Sequence, residues 1–276
     1  MTAAPRTPRP RSYDPAKVRA ALDGQLRAVR EAVTALSARP DAEAALAAAT
    51  RLDDWTVRDL LAHLAAALKA LPDRLAEPSP DPAEPRLDLR RYLASARTAA
   101  ESAAAADRAP DGEPSDVAGR LDEAATRLSD AVATADPAAP LPTALGPMTV
   151  LDYTVTRLLE AVVHADDLTA ATGIPVAHDR QALATVTRLL ADALAAAAPG
   201  GSVEVRVPPF AVVQCVAGPR HTRGTPPNVV ETDPLTWIRL ATGRLNWADA
   251  IENALVGASG ERADLSAQLP LSGRSL

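Results

Sequence analysis

The stretch RLLEAVVHADDL, residues 157–168, sets Arg157, Glu160, His164 and Asp167 among leucines, valines and alanines. Steps of three and four residues predict a helix here. Glu160 and His164, four apart, then leave the same face one turn from each other. The pattern has two readings. In one, Tyr153, Arg157, Glu160, His164 and Asp167 are the wet side of an ordinary amphipathic helix, opposite a core side of Leu151, Val155, Leu158, Leu159, Val162 and Val163. In the other, a carboxylate and an imidazole form half of a metal site whose remaining ligand lies elsewhere in the chain.

Working outward, this helix runs over roughly residues 149–172, with Gly173 as its C-cap. Towards the N-terminus, Asp14 and Pro15 read as an N-cap and first helical residue. They precede a stripe of Val18, Leu22, Leu26, Val29, Val33 and Leu36. Thr56 and Asp59 resemble a capping box ahead of Val57, Leu60, Leu61, Leu64 and Leu68. A weaker, alanine-rich helix is expected over 87–107, and another carries Val117, Leu121, Leu128 and Val132. Long helices joined by proline-rich loops are the pattern of a helical bundle.

Past residue 176 the texture changes. A helix over RQALATVTRLLADALAAAAPG is followed by VEVRV, alternating at period two, and then by the β-branched runs AVVQCV and VVE. Asp233 and Pro234 open a further helix that Gly243 closes. The expectation is a mainly α protein: a tail over 1–13, disordered by composition, a four-helix bundle over 14–175, and a smaller α+β domain over 176–276.

Composition narrows the function. The net charge of −6 comes without a basic patch interleaved with aromatics, so no nucleic-acid partner is expected. Cys215 is the single cysteine, which excludes an intrachain disulfide and any cysteine-cluster metal site. Its apolar run marks it as inert core. The N-terminus has no apolar signal region, and no run of residues is long and apolar enough for a membrane span, so the expected location is cytoplasmic. Neither a Gly-rich phosphate loop nor a G-x-S-x-G elbow occurs.

His63, at the border of the apolar stripe of its helix, is the candidate third ligand; a structural histidine that has found a hydrogen bond is the alternative. His178 and His221 sit in loop-like surroundings and read as surface residues. If His63, Glu160 and His164 meet, two imidazoles and a carboxylate suit zinc and leave a fourth position open, the arrangement of a catalytic site. Arg157 and Asp167, three residues outside the ligands, would then orient Glu160 and His164; ordinary i,i+3 pairing at the surface is the alternative.

The segments RLDDWTVRDLLAHLAAAL and MTVLDYTVTRLLEAVVHADDLTAATG together resemble the maleylpyruvate isomerase family of mycothiol-dependent enzymes, whose N-terminal domain is a DinB-like four-helix bundle. The resemblance implies a divalent metal, usually zinc, on His63, Glu160 and His164. It also implies mycothiol, a low-molecular-weight thiol, as co-reactant, its thiolate attacking a small electrophilic substrate in isomerisation or thiol transfer. The segments HTRGTPPNVVETDPLTWIRLATGRLNWADAI and VGASGERADLSAQLP resemble the sterol carrier protein-like domain often fused to this bundle. In that family the second domain supplies a basic residue to the cleft, and Arg244 is the candidate for it here, with a structural role at the helix C-cap as the alternative. A rival reading is a non-catalytic protein whose sterol carrier-like domain holds an apolar small molecule or lipid. That domain has few aromatic residues, Phe210, Trp237 and Trp247, to build such a pocket.

Overall fold

The computed structural model describes residues 11–52, 54–102, 112–218 and 227–271. The first part of the chain holds α1 (Pro15–Ser37), α2 (Ala42–Leu46), α3 (Val57–Leu75), α4 (Leu89–Ser102) and α5 (Pro114–Thr134). A two-residue antiparallel pair, β1 (Pro140–Leu141) and β2 (Met148–Thr149), then leads into α6 (Val150–Thr172). Helices α1, α3, α5 and α6 form the bundle, with α1 and α3 each packed on both α5 and α6.

Local chemistry accounts for the helix ends. Asp14 accepts hydrogen bonds from the amides of Ala16 and Lys17, and Thr56 and Asp59 close a reciprocal capping box. Thr149 caps α6, which ends at Gly173 in the left-handed region (φ 70°), where a side chain would be strained. The stripe expected on α1 is buried from Val18 to Leu36.

The second part comprises α7 (Arg180–Ala197), β3 (Val203–Val207), β4 (Ala211–Cys215), β5 (Val229–Thr232), α8 (Pro234–Ala241), α9 (Trp247–Glu252) and β6 (Val256–Ser259). Its sheet has the order β4-β3-β5-β6, with β3 and β5 parallel and the other pairs antiparallel. Val203, Val205 and Val207 turn inward and are buried. Between them Glu204 and Arg206 point out, pairing with each other, and Arg206 reaches Glu231. The inward face is closed by Trp237 of α8, whose indole N–H donates to the Thr187 carbonyl of α7 at 3.3 Å. Helix α7 lies between the two parts, packed on α1, α4 and α6 and also on β4 and α8.

Several elements differ from expectation. The five-residue α2, the six-residue α9 and the edge strand β6 were not anticipated; each is too short to show a period. Arg11 forks onto Asp192 of α7 at 2.8 and 3.1 Å and Tyr13 packs against the core, so the loose tail expected over 1–13 does not extend to these two residues. Residues 1–10, the 103–107 end of the alanine-rich helix, and His221 lie outside the described residues. Among those described, no helix is long and apolar enough to cross a membrane.

The largest departure is α6. Every residue from Tyr153 to Leu168 is buried, so it has no solvated side there. Helices α1, α3, α4 and α7 pack around it, and charged partners from distant segments meet its polar residues.

Candidate metal centre

Helices α3 and α6 pack directly, and their contact brings His63 to Glu160 and His164. One ligating atom from each side chain lies within 4.8 Å of the other two. Glu160 Oε2 is 3.1 Å from His164 Nε2 and 3.5 Å from His63 Nε2. The two imidazole rings stand nearly perpendicular, at 83°, with centroids 5.1 Å apart. Glu160 and His164 are buried, whereas the His63 side chain is 27% exposed, with its Nε2 enclosed.

The donor set fits a divalent cation. His63 Nε2 is buried without a hydrogen-bond partner, an arrangement that costs free energy unless something accepts its lone pair or proton. On the other side, Asp167 Oδ2 lies 2.9 Å from His164 Nδ1. A carboxylate there holds the Nδ1 proton, which leaves Nε2 to face Glu160 and His63. Two imidazole nitrogens and a carboxylate oxygen are borderline ligands of the kind zinc takes.

Charge is managed residue by residue. Arg157, 5% exposed, lies 4.7 Å from the Tyr153 ring centre and donates to the Ala67 carbonyl (2.9 Å), while its Nη2 sits 3.7 Å from Glu160 Oε1. Burial alone would raise the Glu160 carboxyl, but His164, His63 and Arg157 beside it hold it well below the usual carboxylate range. Burial opposes a charge on His164 too, yet its hydrogen bonds to Asp167 and Glu160 prevail and raise its pKa. For Asp167, burial is again outweighed, by His164 and Arg244, and its carboxyl is lowered.

Behind the cluster, Asp166 and Asp167 gather three arginines. Arg239 of α8 forks onto Asp166 at 2.8 and 2.5 Å, and Arg51, from the turn before α3, bridges Asp166 and Asp167. Arg244, just past α8, has a side chain 1% exposed and reaches Asp167 Oδ2 at 3.1 Å and the Thr242 carbonyl at 2.9 Å. The residue expected to face the cleft thus lies one carboxylate away from the His164 ring. The i,i+3 pairs expected of Arg157 with Glu160 and of Asp167 with His164 are both present, and both are buried. His178, expected at the surface, is only partly exposed; its Nδ1 is enclosed without a partner and burial lowers its pKa.

Arg51, Arg239 and Asp166 were not legible as site residues. Arg51 lies in a loop and Arg239 on a short helix with no period linking either to α6, and Asp166 falls outside the polar three-and-four pattern.

A helical bundle carrying a His, Glu, His cluster and followed by a one-sheet α+β unit defines a class. Residues 26–169 match the mycothiol maleylpyruvate isomerase N-terminal domain, and residues 179–271 match the bacterial sterol carrier protein ortholog family. Two crystal structures of a mycothiol-dependent maleylpyruvate isomerase, one of them a histidine-to-alanine mutant, share the fold. Identities are 19% and 18%, each with a TM-score of 0.50, covering 88% of this chain and 94% of that chain. A search of curated proteins finds no match. The chain belongs to the mycothiol maleylpyruvate isomerase family, a family of enzymes, with a bacterial sterol carrier-type domain at its C-terminal end.

Proposed function

We propose that this protein is a metal- and mycothiol-dependent isomerase or thiol transferase acting on a small electrophile. The observation that carries the reading is the convergence of His63, Glu160 and His164, with the buried Nε2 of His63 facing Glu160 at 3.5 Å and making no hydrogen bond. His63, Glu160 and His164 would hold a divalent cation such as zinc, which would supply the Lewis acidity that lowers the pKa of a bound thiol. Asp167 fixes the His164 tautomer, and Arg157 steadies Glu160 from its Oε1 side, leaving Oε2 turned to the imidazoles. Arg244 acts as a positioning residue on Asp167. The exposed edge of His63 marks the side from which thiol and substrate approach.

The rival lipid-carrier reading draws no support from the sheet, because Val203, Val205, Val207, Trp237 and Ile238 fill its inward face. A cavity of about 270 Å³ does exist, lined by Pro15, Val18, Val132, Val150 and Leu151. It sits at the far end of α6, about 15 Å along the helix from Glu160, and so is separate from the metal cluster.

The test is metal content of the untagged protein, followed by thiol-adduct and cis–trans isomerisation assays with mycothiol against a panel of electrophiles. Near-stoichiometric zinc is expected in the wild type, with loss in His63→Ala and Glu160→Ala. Metal-free wild type that carries a co-purifying lipid would overturn the reading in favour of a carrier.

A further inference from the structure

One short stretch of chain touches one imidazole of the cluster directly and reaches the other through Asp167. Between α2 and α3 the chain folds tightly: the Thr50 amide and hydroxyl both donate to the Trp55 carbonyl at 2.9 Å, and the Trp55 amide returns to the Leu52 carbonyl at 2.9 Å. Leu52, 5% exposed, pins the loop into the core. From one end, Arg51 crosses to α6, placing Nε 2.7 Å from Asp167 Oδ1 and Nη2 on Asp166. From the other end, the Trp55 ring packs on His63 with centroids 4.9 Å apart.

The two contacts bear on different ligands. Asp167 is the acceptor that orients His164, so whatever fixes its carboxylate plane fixes the imidazole. Arg51 and Arg244 approach the same oxygen, Oδ1, while Oδ2 takes His164 and the Arg244 Nη2. A carboxylate offers about four lone-pair sites, and these four donors use them. Trp55 in turn restricts the ring of His63, the one ligand that is partly exposed.

We propose that Arg51 and Trp55, which flank the turn before α3, together brace the metal site and set its affinity, with Arg51 positioning His164 through Asp167 and Trp55 positioning His63. This rests on the metal reading of the cluster. Arg51 is suited to the task because its planar fork spans two adjacent carboxylates, which a lysine ammonium on a flexible stem cannot do. It is also the partly exposed member of the pair holding Asp167, at 25% against 1% for Arg244.

The experiment uses the full chain, stripped of metal. Cobalt(II) is titrated while its ligand-field absorption is recorded, and zinc affinity is measured by competition with a chromophoric chelator. Arg51→Gln is expected to weaken metal binding about tenfold and to alter the cobalt spectrum, as loss of an outer partner of a ligating histidine does. Arg51→Lys recovers part of the loss, and it serves as the reporter if Arg51→Gln does not fold. Quenching of tryptophan fluorescence by cobalt is expected in the wild type and to be largely lost in Trp55→Phe. An Arg51→Gln protein with unchanged metal affinity and cobalt spectrum, but a lower melting temperature, would show a purely structural ion pair and overturn the proposal. A wild type that takes up neither cobalt nor zinc would overturn the metal reading itself, and the brace with it.

Discussion

Helices α1 and α6 are each 23 residues long and pack against each other, yet they treat charge in opposite ways. On α1, buried Val18, Leu22, Leu26, Val29 and Val33 face the core, while Arg19, Arg27 and Glu31 face solvent. On α6, Arg157, Glu160, His164, Asp166 and Asp167 are all buried, and each is met by an opposite charge or a hydrogen-bond partner. Taking a charge out of water costs several kcal/mol, which pairing roughly offsets, so such a cluster adds little net stability of its own. With His63 Nε2 making no hydrogen bond beside it, this cluster is the ground on which we read α6 as the helix of the proposed site and α1 as scaffold.

The largest expected effect comes from removing a charge on α6. Asp167→Ala leaves Arg244 and His164 buried without their shared acceptor, and a loss of about 3–5 kcal/mol in denaturant unfolding is expected. Glu31→Ala on α1 should stay within about 0.5 kcal/mol. Equal costs at the two positions would erase the distinction drawn between the helices.

Metal binding should separate them next. Glu160→Gln is expected to lower zinc affinity at least ~100-fold, more than loss of an outer partner does, whereas Glu31→Gln should leave it unchanged. Dialysis against a chelator followed by metal analysis reads both.

The pH dependence follows from His164. Its pKa is raised, so below that value a proton occupies the nitrogen that a cation needs. Zinc affinity should therefore climb as pH rises, by about tenfold per unit if one proton is released, and go on climbing above the ordinary histidine value of about 6.5. In the metal-free protein the sign reverses: the stabilising contribution of His164 is fully present below that unfolded value and lost as pH rises through the folded one. A flat affinity profile between pH 6 and 8 would mean that His164 is not a ligand.

The smallest effect concerns a group buried without a charged partner. Burial alone pushes the Cys215 thiol up to about 11, the opposite of what paired burial does to Asp167. At pH 7.5 the native protein should resist thiol-labelling reagents and label only on unfolding, with no change in metal content.

What the sequence made legible is what neighbouring residues decide. The α1 stripe, the Thr56–Asp59 box, the αL cap at Gly173 and the alternation of β3 all follow from chemistry within a few positions. The three candidate ligands were legible as residue types at a spacing, and the structure brings them together. Their surroundings were not. A helix with charges on one side looks the same in sequence whether water or protein covers that side, and the covering residues of α6 come from positions 51, 63, 239 and 244. Arg244 illustrates the limit: the family resemblance suggested a basic group in the cleft, while the Arg244 guanidinium lies against Asp167.

Helix α7 has a practical corollary for anyone dissecting the chain. The family matches end at 169 and resume at 179, which invites a cut between them. Yet Leu189, Leu190, Leu194 and their neighbours serve two masters, the bundle on one flank and the strands on the other. A fragment stopping at 175 would bare greasy surface on α1 and α6 and should clump, whereas extending it through 198 would merely shift the bare surface to the outer flank of α7. The protein is therefore expected to melt in one cooperative step rather than in two, as a unit sewn along a shared seam.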